Sequence, residues 1–117
     1  MDERIKIYQK PTCSKCRLTL GILTERGVDF ESINYYETPL RERELRELIN
    51  KLGIAPRDLL RKDEPIYREL NLGEREVSDE ELIRLMTENP DLMQRPIVVR
   101  GEKAVLARPP ENVEKLL

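Results

Sequence analysis

Cys13 and Cys16 stand three residues apart in the segment Lys10-Pro11-Thr12-Cys13-Ser14-Lys15-Cys16. The run before it, Arg4-Ile5-Lys6-Ile7-Tyr8, alternates polar and apolar side chains as a half-buried strand does, and Ser14 to Arg26 is helix-compatible up to a stop at Gly27. That order puts Cys13 at a helix N-terminus. Unpaired backbone N–H groups and the positive end of the helix dipole favour a thiolate there, which lowers the thiol pKa and raises the fraction able to attack an electrophile. Lys10, Lys15 and Arg17 add positive charge nearby.

Two other readings of paired cysteines fit less well. The chain has 2 Cys and no His, so a four-ligand zinc site within it would need two carboxylates, and no metal site is expected. A structural disulfide closing so small a loop constrains little of the unfolded chain. Cys-x-x-Cys after a strand and opening a helix is instead a thioredoxin-like redox signature, which by itself names no substrate. As a small buried helix residue, Cys16 also has a purely structural reading.

At 117 residues the chain is expected to form a single domain with one modest core. The formal net charge is −2 and the pI about 5.4, which leaves no basic surplus for direct nucleic-acid binding. No apolar run approaches bilayer-spanning length, and two cysteines in a reactive arrangement suit a reducing compartment, so a soluble cytoplasmic protein with no membrane partner is expected. Charged residues make up 38% of the chain, and Glu42 with Arg46, Arg43 with Glu47 and Glu47 with Lys51 pair at helical spacing, as on a solvated helix face.

The elements that must position the thiols follow in order. Val28 to Tyr35 reads as a second strand. Thr38-Pro39 reads as a helix start, with Leu45, Leu48, Ile49 and Leu52 as the apolar stripe and Gly53 as the stop. Pro56 and Pro65 each begin a short helical piece, Ser78-Asp79-Glu80-Glu81 opens a helix carrying Leu82, Ile83 and Met86, and Asn89-Pro90 closes it. Ile97-Val98-Val99, Gly101-Glu102 and Ala104-Val105-Leu106 read as a hairpin, and Pro109-Pro110 opens a last helix using Val113, Leu116 and Leu117. The fold expected is α/β and thioredoxin-like (glutaredoxin-type). Its four-stranded mixed sheet carries a helical insertion, at about residues 39–90, between the βαβ and ββα halves.

Four segments make the resemblance specific: Tyr8-Gln9-Lys10-Pro11-Thr12-Cys13-Ser14-Lys15, Leu59-Leu60-Arg61-Lys62, Gln94-Arg95-Pro96-Ile97-Val98-Val99 and Ala107-Arg108-Pro109-Pro110. With them the chain resembles, over nearly its full length, the glutaredoxin-type arsenate reductase family, also called the ArsC/Spx family. The resemblance implies that Cys13 attacks arsenate while Arg61, Arg95 and Arg108 grip its oxygens. It also implies a cis Pro96 facing the cysteine, with Lys10 and Ser14 in supporting places. The residue types suit that chemistry. A planar, permanently charged guanidinium matches paired oxygens of a phosphate-like oxyanion, and the backbone N–H groups from Thr12 to Cys16 add an anion cradle. No cofactor is expected to be bound; glutathione with glutaredoxin, or thioredoxin, would supply electrons.

The chain departs from the family pattern in two places. Where such reductases have a histidine in a His-Asn-Pro context before the cysteine, this chain has Gln9-Lys10-Pro11, so Lys10 is the expected positive neighbour. Where many have serine or another non-thiol residue, it has Cys16, placed to resolve an adduct on Cys13 intramolecularly and to hand a disulfide to thioredoxin. The same pair also resembles the switch of Spx-like redox-sensing transcription regulators, which bind RNA polymerase. A thiol–disulfide oxidoreductase acting on another substrate is the further alternative. Spx-like proteins usually lack the third arginine, and this chain keeps Arg108.

Overall fold

The computed structural model describes residues 4–10 and 12–117, so Pro11 of the cysteine segment and Met1-Asp2-Glu3 lie outside the described residues. The chain divides into two compact units, residues 1–38 with 95–117 and residues 39–94. In the first, strand β1 (Ile5–Gln9) buries Ile5, Ile7 and Gln9 on one face and exposes Lys6 on the other. Helix α1 (Ser14–Glu25) follows and ends at Gly27, whose φ of 67° is the left-handed conformation that favours glycine. Val28 N–H donates to the Leu23 carbonyl, so Val28 completes the helix cap instead of starting a strand. Strand β2 therefore begins later than expected, at Phe30, and runs to Asn34.

Asn34 also ends β2 early. Its side-chain oxygen accepts from Tyr36 N–H and its carbonyl from Glu37 and Thr38 N–H, turning the chain just before Tyr35. Strands β3 (Ile97–Arg100) and β4 (Lys103–Leu106) form the expected hairpin around Gly101-Glu102, with Gly101 at φ 62°. The sheet order is β2-β1-β3-β4, with β1 parallel to β2 and the other two pairs antiparallel. Under it, Ile5, Ile7, Leu23, Val98, Ala107, Val113 and Leu116 form the core. The last helix, Pro110–Leu116, is 3₁₀ and not α; it buries Pro110, Val113 and Leu116 at the three-residue spacing that such a helix presents on one face.

The second unit is helical. Helix α2 (Glu42–Leu52) buries Leu45, Leu48 and Ile49, and helix α4 (Asp79–Glu88) buries Leu82, Ile83, Leu85 and Met86; the two pack together. The start of α2 differs from the expected one. Thr38 N–H is already committed to the turn after β2, and the cap falls on Arg41, whose N–H donates to the Glu44 carboxylate at 3.1 Å. Ser78 does cap α4, its hydroxyl accepting from Glu81 N–H at 3.2 Å. Of the proline-initiated pieces, Pro56–Leu59 is 3₁₀ and α3 (Pro65–Glu69) is a short α-helix. No helix among the described residues is long and apolar enough to cross a membrane.

Candidate active site

Three segments of the first unit leave the sheet at one end. Gln9, the last residue of β1, is in register with Asn34, the last of β2, and Tyr8 is in register with Ile97, the first of β3. Cys13, Tyr35 and Arg95 each lie within four residues of those positions, so the topology gathers them.

Cys13 is the N-cap of α1, with φ −84° and ψ 123°. A turn after β1, closed by Cys13 N–H donating to the Lys10 carbonyl at 3.0 Å, sets it there, and the Cys13 carbonyl takes the first helical bond from Arg17 N–H at 3.1 Å. Its Sγ accepts a hydrogen bond from Cys16 N–H at 3.3 Å, the place that a serine or aspartate oxygen fills in an ordinary cap. Burial pushes the Cys13 thiol up. The hydrogen bonds from the Cys16 side chain and backbone outweigh that, with the Arg95 charge added, and the thiol ends below its ordinary value. Cys16 moves the opposite way: burial, then hydrogen bonding to Cys13 and the repulsion of its charge, pushes it up to about 12. The pair thus combines a thiol whose pKa is lowered with one held protonated, both free of a disulfide.

Arg95 is only 7% exposed. Its Nε and Nη1 are buried and make no hydrogen bond within the protein. Burial works against its charge, and the Tyr35, Tyr36 and Cys13 groups more than restore it, so the guanidinium stays protonated. Two charged donors with no protein acceptor, beside the Cys13 thiol at a helix N-terminus, are chemically suited to receive an anion. The Arg95–Pro96 bond is cis, as the resemblance implied, and so is Arg108–Pro109, which no sequence feature announced. Arg108 Nη1 donates to the Arg95 carbonyl at 3.1 Å, fixing the third arginine against the backbone of the second.

The remaining expected residues take other positions. Arg61 belongs to the helical unit, where its backbone N–H donates to the Leu92 carbonyl at 2.7 Å and its guanidinium pairs with Glu64 at 3.3 Å and Asp63 at 3.7 Å. Lys10 holds its ammonium over the Tyr36 ring, 4.6 Å from the centroid, and the cation that lowers the Cys13 thiol is Arg95. Ser14 is the first, exposed residue of α1. Gln9 is buried, its Nε2 donating to Ser32 Oγ at 2.8 Å. Among the described residues no three His, Cys, Asp or Glu side chains group to hold a metal ion.

A model of the ArsC family matches residues 8–116. The chain belongs to the ArsC family. It is 47% identical to YfgD, an uncharacterized protein of Escherichia coli (strain K12), over 100% of this chain and 99% of that one. It is 40% identical to an arsenate reductase of Neisseria meningitidis serogroup A, over 97% of each chain. The solved structure of an arsenate reductase from Vibrio cholerae superposes with a TM-score of 0.94 at 41% identity, covering 100% of both chains. The ArsC fold, a thioredoxin-like mixed sheet with helices, is thus that of the sequence expectation.

One buried polar group at this end of the sheet is not singled out by the sequence. By pattern Tyr35 is the apolar end of a strand, yet it is 2% exposed and its hydroxyl is buried with no hydrogen-bond partner. The Asn34-centred turn swings it off β2, and the lone Asn34 before it is only a weak mark of that turn in the sequence.

Proposed function

We propose that this protein is an arsenate reductase in which Cys13 is the nucleophile and Cys16 the resolving thiol. The observation that carries the proposal is the arrangement of Arg95 and Cys13: buried guanidinium donors with no protein acceptor, next to a thiol held below its ordinary pKa. Full-length similarity to proteins named arsenate reductase supports it.

In the first step the Cys13 thiolate attacks arsenic, an arsenic–oxygen bond breaks, and the oxygen leaves as water after taking up protons. The guanidinium groups of Arg95 and Arg108 neutralise the remaining oxygens and hold the anion in line, which stabilises the crowded transition state. In the second step Cys16 attacks the Cys13 sulfur. A disulfide forms, the sulfur–arsenic bond breaks with its electron pair remaining on arsenic, and the Cys16 proton passes to an arsenite oxygen. Arsenic gains two electrons and the thiol pair loses two. Bonding of Cys13 to arsenic removes the Cys13 charge, one of the effects that keep Cys16 protonated, while burial remains the largest.

A dithiol donor of the thioredoxin type then reduces the Cys13–Cys16 disulfide; in the other family route, glutathione takes the place of Cys16 and glutaredoxin restores Cys13. Throughout, residues 1–117 work as a single domain, with Lys10, Ser14 and Pro96 supporting the thiol segment. Arsenate-dependent NADPH oxidation tests this, coupled through thioredoxin and its reductase or through glutathione and glutaredoxin. The expected outcome is turnover with thioredoxin that disappears in Cys13→Ser and in Cys16→Ser. Glutathione turnover that survives Cys16→Ser would demote Cys16. No turnover in either system would return the site to a thiol–disulfide oxidoreductase or a redox switch.

A further inference from the structure

The buried hydroxyl of Tyr35 has no role in the mechanism above. Its ring is held against Tyr36, with centroids 5.0 Å apart, and the Asn34 turn fixes where it leaves the sheet. Tyr35 is 2% exposed and Arg95 7% exposed, and the atoms of each that can donate to an oxygen, Tyr35 Oη and Arg95 Nε and Nη1, lack any acceptor in the protein. Leaving a buried donor unpaired is costly, so three such atoms grouped at the cysteine end of one sheet indicate an acceptor-rich ligand that takes them together.

We propose that Tyr35 is a catalytic residue that touches the substrate, donating its hydroxyl hydrogen bond to an oxygen of the tetrahedral oxyanion attacked by Cys13. The substrate class is a protonation-tolerant tetrahedral oxyanion, of which arsenate is the one named above; the inference deepens that reading and rests on it.

Burial holds the phenol above its ordinary pKa, with the Arg95 charge and hydrogen bonding opposing, so the hydroxyl keeps its proton throughout the working range and remains able to donate. A tetrahedral oxyanion offers acceptors in several directions at once. Arg95 donates from its guanidinium and Tyr35 supplies a single directed donor to a different oxygen, and the Cys13 sulfur is left to face the central atom.

The test is Tyr35→Phe, which keeps the ring and its packing and removes only the donor. Two quantities are read: kcat/KM for arsenate, and the rate of Cys13 alkylation by neutral iodoacetamide with and without added arsenate. The proposal expects Tyr35→Phe to lower kcat/KM by about tenfold or more, the loss typical of one hydrogen bond to a charged group. Arsenate should protect Cys13 from alkylation in the wild type and need at least about tenfold higher concentration to do so in Tyr35→Phe. The alkylation rate without arsenate should change less than about twofold. A variant with unchanged kcat/KM and unchanged protection overturns the proposal. Equal losses of bare alkylation and of turnover overturn it too, because Tyr35 would then act on the thiol and not on the anion. If arsenate protects wild-type Cys13 in a Tyr35-dependent way but is never reduced, the reductase assignment fails while Tyr35 keeps its role. If arsenate protects nothing, both fail.

Discussion

Replacing Arg95 by Met should make the protein more stable and less active at once. The structure buries Nε and Nη1 of Arg95 without partners, and an unsatisfied buried donor costs about 1–3 kcal/mol. Both atoms belong to one guanidinium whose charge is partly offset by the neighbouring thiolate, so the net relief is set at about 1–2 kcal/mol. Met keeps the unbranched apolar stem and fills most of the volume. The thiolate itself complicates the comparison, since removing Arg95 also removes a cation that favours it. The substitution is therefore made in a Cys13→Ser background, where no thiolate exists. In a domain of about this length, 1.5 kcal/mol corresponds to roughly 5 °C in Tm. Thermal and urea unfolding followed by circular dichroism should show Cys13→Ser/Arg95→Met above Cys13→Ser by that amount. Arsenate at ten times its Kd should stabilise the single variant by about 1.4 kcal/mol and leave the double variant unmoved. A double variant less stable than the single by about 1 kcal/mol or more would refute the reasoning, because Arg95 would then be holding the fold together and not waiting for an anion.

Three further outcomes follow from the same geometry. Because Cys13 sits below the ordinary thiol pKa, its rate of alkylation should fall as pH drops through a midpoint lower than that of a free thiol. With no histidine in the chain, a single limb is expected in that profile. Cys16 is raised to about 12, so the stability its protonated form contributes is complete below the ordinary thiol pKa of about 8.5. It is lost as pH rises from there, at no more than about 1.4 kcal/mol per pH unit, and urea titrations of Cys16→Ala should show a shallower alkaline decline. Leu23, fully buried between α1 and the sheet, should cost about 2–5 kcal/mol when cut to Ala, measured by the same denaturation; a loss below about 1 kcal/mol would contradict the core assigned to the first unit.

Much of the fold was legible because its signals are local. Alternation in Arg4 to Tyr8, the stripe Leu45, Leu48, Ile49, the Ser78 cap and the Gly101 turn all act within a few residues, and each appears where the sequence put it. The errors lie where a backbone group had two possible partners. Thr38 looked like a cap, but it closes the turn on the Asn34 carbonyl and the cap falls later, on Arg41; Val28 looked like a strand residue, but its N–H was taken by Leu23. The cysteine pair was likewise readable from spacing, since a cap position is a local property. What the spacing could not show is charge balance between distant segments. Arg95, 82 residues along the chain from Cys13, supplies the cation expected of Lys10, and the Tyr35 hydroxyl enters only through a turn whose hydrogen bonds have no strong sequence mark.

The most direct measurement is a single turnover of the fully reduced protein with arsenate and no other reductant, scoring arsenite and protein thiols together. The account predicts one arsenite released for each Cys13–Cys16 disulfide formed, an arsenic adduct on Cys13 trapped in Cys16→Ser, and neither product in Cys13→Ser. Arsenite formed by Cys13→Ser, or arsenite formed by the wild type with both thiols still free, would contradict it.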